Sequence, residues 1–341
     1  SDAEAPTFQT RRAALLGASD SVNGMQGPAL SGLSTSSEVW AVTRDWSDVS
    51  GEAGLAWSAD SGLDWHEKYA AWVGGFTPTA SEDGHTTFTL TTPWGKSLPA
   101  PRLECAETAI FLRVTFAAWH GLPMYMGAYS PTHGANIYFG HFGVVHHSGA
   151  RVSGFPKFST YYDDYTASHG ALPTSQLHAA WPTSSTLAAK SLTTNMDDAV
   201  GFLGPDAYAG AYFDAIYLNK RVGEFLIRAL TNLGSMHIVD DAFNTFNLAP
   251  EAMQPGDLMM QRWQKQGIGH TVVLLDVQKP GPNSRSIKVA YGSMPRIQPK
   301  WKTGSAAEGF FTPPKSGGPG VNSEGVAYAA LGGGLKRWRT P

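Results

Sequence analysis

Glu104-Cys105-Ala106-Glu107-Thr108-Ala109-Ile110-Phe111-Leu112-Arg113-Val114-Thr115-Phe116-Ala117-Ala118-Trp119 is the stretch on which the reading of this chain turns. It contains neither Gly nor Pro and is apolar at almost every position from Ala106 onward. Pro99 and Pro101 stand before it; His120-Gly121 and Pro123 follow. That punctuation predicts a buried helix from Cys105 to Trp119. Cys105 is the one cysteine in 341 residues, so no internal disulfide can form. At a helix start its sulfur lies near the positive end of the helix dipole, where a thiolate is stabilised. Glu104 and Glu107 flank it. Carboxylates there oppose a thiolate unless they point away, and Glu107 in the first turn complements the dipole.

A second signature lies far downstream. Pro255-Gly256-Asp257 reads as a turn, with Asp257 capping backbone N–H groups. Leu258 to Trp263 reads as a strand, Gln264 to Gly269 as a polar connection, and His270 to Val277 as a second strand. Pro280-Gly281-Pro282-Asn283 turns again, and Ser286 to Tyr291 makes a third strand of an antiparallel meander. A free thiol of pKa ~8.5 is only a few per cent ionised at neutral pH and needs a base beside it. His270, at a strand start next to Gly269, is the candidate; partners in such a pair meet in space, not in sequence.

The order of a Cys-led helix, Pro-Gly-Asp, a strand and a Gly-His strand resembles the papain-like NlpC/P60 and CHAP peptidases. The matching residues are Cys105, Pro255-Gly256-Asp257-Leu258-Met259 and Gly269-His270-Thr271-Val272-Val273-Leu274-Leu275. The resemblance implies an α+β, papain-like fold, with the helix carrying Cys105 packed on an antiparallel sheet carrying His270. It implies a hydrolase of amide bonds, acting on a peptide or on peptidoglycan stem peptides, with Cys105 as nucleophile and His270 as base. The usual Asp-Cys-Ser/Gly opening is here Glu104-Cys105-Ala106-Glu107. A third residue should orient the imidazole from the strand after the histidine strand. No Asn, Asp or His stands at its end, and Ser293 fits better there than Gln298. Two other classes stay open: a non-catalytic cell-wall or glycan binder on the same scaffold, and a transglutaminase- or transpeptidase-like acyltransferase.

Other motifs fail on spacing. Trp94-Gly95-Lys96-Ser97 lacks the earlier glycine of a phosphate loop, since Leu90 stands there. No Gly-x-Ser-x-Gly occurs. His133, His141, His146 and His147 cluster without zinc-site spacing, and the paired acids lack calcium-loop spacing. No cofactor or metal is expected.

Composition bounds the rest. Apolar residues are 42% of the chain, enough for a real core, while charged residues are only 16%. A net charge of −3 gives no electrostatic case for nucleic acid. No apolar run is long enough to span a membrane, and no signal peptide is seen. The start at Ser1 without Met reads as a processed or trimmed product, and the low charge and aromatic richness suit a periplasmic or secreted protein. Residues 1–37 read as a flexible leader, 38–301 as the catalytic domain with a long insertion around 124–250, and 302–341 as a Gly/Pro-rich extension over the surface. Further expectations are a helix over 63–73, a strand over 85–92 with Phe88 and Leu90 on one face, and irregular chain over 124–200. One helix is expected from Gly204-Pro205-Asp206 to Gly234, and a solvated basic end at Lys336-Arg337-Trp338-Arg339.

Overall fold

The computed structural model describes residues 39–40, 63–155, 181–239, 243–248, 252–265, 268–281, 284–303, 320–321, 327–328 and 333–339. The expected leader, and most of the expected 302–341 extension, lie outside these residues.

Asp64 opens the first helix. Its carboxylate accepts the Glu67 N–H at 2.8 Å while the Glu67 carboxylate accepts the Asp64 N–H at 2.8 Å, a reciprocal cap. Helix α1 (Trp65–Gly74) buries Trp65, Tyr69 and Val73, in the place expected for it. Strands β1 (Thr77–Ala80), β2 (Thr86–Thr91) and β3 (Ser97–Pro99) form a small antiparallel sheet. Phe88 and Leu90 are wholly buried.

Helix α2 (Cys105–Trp119) has the predicted bounds, and every residue from Ala106 to Trp119 is buried. Its one basic residue shows how. The Arg113 guanidinium lies 3.4 Å from the Trp65 ring centroid and donates to the Arg339 carbonyl at 3.3 Å. A cation on an aromatic face retains attraction after losing water. Burial still pulls its pKa down to about 9.

Two expectations for the middle of the chain need correction. Residues 125–146 are a meander of β4 (Tyr125–Ser130), β5 (Ala135–Gly140) and β6 (Gly143–His146), not irregular chain. Much of it is buried on both faces, so the alternation that marks a half-exposed strand is missing. Residues 204–233 are not one helix. After a short α3 (Ser185–Ala188), α4 (Ala209–Ala215) and α5 (Lys220–Asn232) are separate. The Tyr217 N–H bonds the Asp214 carbonyl at 3.1 Å and the Leu218 N–H bonds the Phe213 carbonyl at 3.1 Å, with Tyr217 at φ +63. This is a Schellman stop with tyrosine in the place usually held by glycine. Asn219 then caps α5 by accepting the Val222 N–H at 2.9 Å. A short α6 (Ser235–Ile238) follows.

Among the described residues the main sheet has six strands. They are β7 (Thr245–Asn247), β8 (Leu258–Lys265), β9 (Ile268–Gly281), β10 (Ser284–Tyr291), β11 (Lys300–Thr303) and, after the short pair β12 (Gly320–Val321) and β13 (Ala327–Tyr328), β14 (Gly333–Trp338). Their order is β11-β10-β9-β8-β14-β7, and every pairing is antiparallel. The strands expected at 258, 270 and 286 are present, with β8 and β9 running further toward each other than the polar connection suggested.

Strand β14 overturns the solvated basic end. Lys336, Arg337, Trp338 and Arg339 are all at most 6% exposed. Arg337 is paired with Asp257 at 2.6 and 2.8 Å, and Asp257 is 1% exposed. The expected turn cap is there too, since Asp257 accepts the Gln254 N–H at 2.8 Å.

The sheet has two covered faces. Leu258, Met260, Val273, Leu275 and Ala290 join the large core shared with α1 and α2. Met259, Val272, Leu274, Val289 and Leu335 form a second core with Leu248 and Met253. Helix α2 packs against β9 and α5. The fold is therefore α+β, with antiparallel sheets and the Cys105 helix lying on the main sheet. Among the described residues no helix is long and apolar enough to cross a membrane.

Candidate active site around Cys105

The chain enters α2 pinned to the segment that follows β10. Leu103 bridges Ile297, its N–H bonding the Ile297 carbonyl at 2.9 Å. Gly292 lies so close that a Cβ there would sit 1.9 Å from the Leu103 carbonyl oxygen. Cys105 is thereby set where β10 has ended at Tyr291, beside β9.

The sulfur sits among donors. Ser235 Oγ is 3.8 Å away, and the Thr271 and Ala106 backbone also favours the thiolate. Ser235 Oγ and Thr271 Oγ1 bond each other at 2.7 Å. If Thr271 donates in that bond, the Ser235 proton faces the sulfur. Burial nevertheless pushes the thiol pKa up, these donors offset it in part, and the Glu104 carboxylate adds to the rise.

The neighbouring carboxylates are largely occupied elsewhere. Glu107 accepts the Glu104 N–H at 2.7 Å and the Arg296 guanidinium through both oxygens at 2.6 and 2.9 Å. Arg296 reaches on to Asp197 at 2.8 Å, and stands 3.7 Å from Glu104. Glu107 is thus a helix cap and ion-pair partner turned to a guanidinium, as its first-turn position allows.

His270 is the residue before Thr271 on β9, so the thiol lies level with the peptide that joins them. Side chains alternate along a strand. Thr271 shares the α2 face with Val273 and Leu275, whereas His270 shares the other face with Val272 and Leu274. Its ring stands 5.5 Å from that of Tyr291, at 78°. Burial holds the His270 pKa down at about 4, so the imidazole is neutral at pH 7. The structure brings the His270 backbone to Cys105, while the thiol's side-chain hydrogen bond goes to Ser235 and not to the imidazole.

Ser293 is used locally. Its hydroxyl donates to the Pro295 carbonyl at 3.2 Å, in the turn after β10. Gln298 is wholly buried and holds the Glu82 N–H and the Ala100 carbonyl. The aromatic neighbour of His270, Tyr291, gives no signal in the sequence beyond that of an ordinary strand residue. Ser235 follows the glycine read as a helix end and carries no signal of its own. Thr271 could have been found from alternation alone.

The histidine cluster splits up. His141 is 2% exposed and bonds the Met124 backbone, while His133 bonds Ser130 Oγ at 2.9 Å and stacks edge-on to His146 at 5.6 Å. Among the described residues no three metal-binding side chains gather. Comparison with known protein families, curated proteins and solved structures returns no match.

Proposed function

We propose that this protein is a papain-like cysteine hydrolase that cleaves an amide bond, with a peptide or the stem peptide of peptidoglycan as substrate. The observation that carries the reading is the position of Cys105. It opens a buried helix, and its sulfur lies 3.8 Å from Ser235 Oγ, beside the strand residue after His270, whose backbone favours the thiolate. In the resting state thiol and imidazole are both neutral. The imidazole stands on the other face of β9 and must swing past the end of β10 to take the thiol proton as sulfur bonds to the carbonyl carbon. The proton goes to the leaving amine as the C–N bond breaks. Water then attacks the thioester, giving its proton to His270, and the acid leaves as the sulfur regains a proton. The Cys105 backbone N–H, at the start of α2, is offered to the oxyanion.

The test is amine release from a peptide library and from purified peptidoglycan, read by mass spectrometry. Wild type should turn over; Cys105→Ala should not, at unchanged thermal stability. A Cys105→Ala protein with full activity sinks the proposal. Products joined to an added amine would place the same thioester in an acyltransferase.

A second reading is a non-catalytic binder on the same scaffold. The raised thiol pKa and the thiol's bond to Ser235 favour it. Iodoacetamide separates the two, because Cys105 is the sole thiol. Labelling of the folded protein supports the enzyme; labelling only on unfolding supports the binder.

A further inference from the structure

Away from Cys105, a cleft of about 430 Å³ opens between the β2–β3 turn, residues 181–188 and α4. Among the described residues its walls carry one cation and one anion. Lys96 comes from the turn, with its ammonium 5.0 Å from the centre of the Tyr217 ring. Asp214 comes from α4, is 7% exposed, and accepts the Ser184 N–H at 3.1 Å. The two charges feel each other across the cleft, but the carboxylate is bonded to backbone and the ammonium rests by an aromatic ring. Loss of water lowers the Lys96 pKa and raises that of Asp214. Each charge is left partly desolvated without closing on the other.

The wall between them is aromatic. The Trp181 and Tyr217 rings are 5.2 Å apart, inclined at 50°. Tyr217 holds its ring there from a left-handed backbone, φ +63, at a helix stop that glycine would fill without strain. Strain kept at a cleft wall is a reason to look for a ligand.

We propose that this cleft binds a small zwitterion, an amino acid or short peptide, with its ammonium on Asp214, its carboxylate at Lys96 and an apolar side chain on Trp181 and Tyr217. A neutral sugar leaves both protein charges uncompensated. A simple anion meets Asp214, and a simple cation meets Lys96. A ligand carrying both charges satisfies both, and Thr183 and Ser185 on the rim supply further polar groups. Nothing here depends on Cys105 chemistry, so the site stands or falls separately.

The test is calorimetric titration of the whole chain with L-leucine, N-acetyl-leucine, leucinamide, N-acetyl-leucinamide and N-acetylglucosamine. Leucine should bind saturably at millimolar concentration, and removing either charge should weaken it at least about tenfold. Asp214→Asn should erase the preference for leucine over N-acetyl-leucine, and Lys96→Met the preference over leucinamide. The idea is overturned if leucine gives no saturable heat. It is equally overturned if N-acetyl-leucinamide or the sugar binds as tightly. The ligand series on unaltered protein decides even if a variant fails to fold.

Discussion

The hydroxyl oxygen of Ser235 lies 3.8 Å from the sulfur of Cys105 and 2.7 Å from the hydroxyl oxygen of Thr271, so the thiol ends a chain of hydroxyls reaching in from the sheet. Ser235→Ala removes a donor that favours the thiolate. The thiol pKa should rise further, and alkylation at a fixed pH below it should slow severalfold. Rates of iodoacetamide labelling across pH measure this directly. An unchanged profile would mean that the hydroxyl does not donate to sulfur.

Arg337→Ala should be among the most damaging single changes in the sheet. It leaves the Asp257 carboxylate, 1% exposed, without its guanidinium. Breaking a buried pair from one side costs about 3–5 kcal/mol. Urea unfolding should show it as a lowered midpoint. Arg337→Ala with Asp257→Asn should recover part of the loss, since the charge is then gone.

Gly292→Ala should disturb Cys105 without touching it. The new methyl would meet the Leu103 carbonyl at 1.9 Å, so the chain leading into α2 must shift. A destabilisation of about 1–3 kcal/mol is expected. The labelling rate of Cys105 should change in the folded protein. Identical stability and labelling would show that the close approach is not needed.

Acid should weaken the fold through its buried imidazoles. His141 has a folded pKa of about 4 against an ordinary 6.5, because burial disfavours its charged form. Above pH 6.5 it is neutral in both states and costs nothing. Between 6.5 and 4 the unfolded chain gains a proton that the fold refuses, so stability falls, by about 3 kcal/mol for this group when the loss is complete. His141→Asn should show a shallower loss between pH 7 and pH 4.5 by urea unfolding. His270 follows the same direction. If it is the base, the acid limb of kcat/KM should lie near pH 4 rather than 6.5.

Much of the scaffold was written locally. Helix α2 was legible because a long apolar run without Gly or Pro, bounded by prolines and His120-Gly121, has few other solutions. Strands β8 to β10 were legible because turn residues separate short β-rich runs. Asp257 was legible as a turn cap, but its partner Arg337, 80 residues away, was not.

Local pattern failed where burial was set by distant chain. The basic residues 336–339 read as a solvated tail because nothing near them is apolar enough to hide them; β8 and β7 take them in from both sides. The break between α4 and α5 was hidden because Tyr217 is a poor residue for a left-handed stop, held there by packing on Trp94 and Trp181.

The same division runs through the candidate site. Residue types and order alone marked Cys105 at a helix start and His270 at a strand start, because helix signals and strand alternation act over a few neighbours. Which groups meet the sulfur was settled by the pinning of Leu103 to Ile297, the end of β10 and the placing of α6 beside Thr271. Those are long-range pairings whose energy comes from burial and hydrogen bonds across the fold, and no short window of sequence contains them.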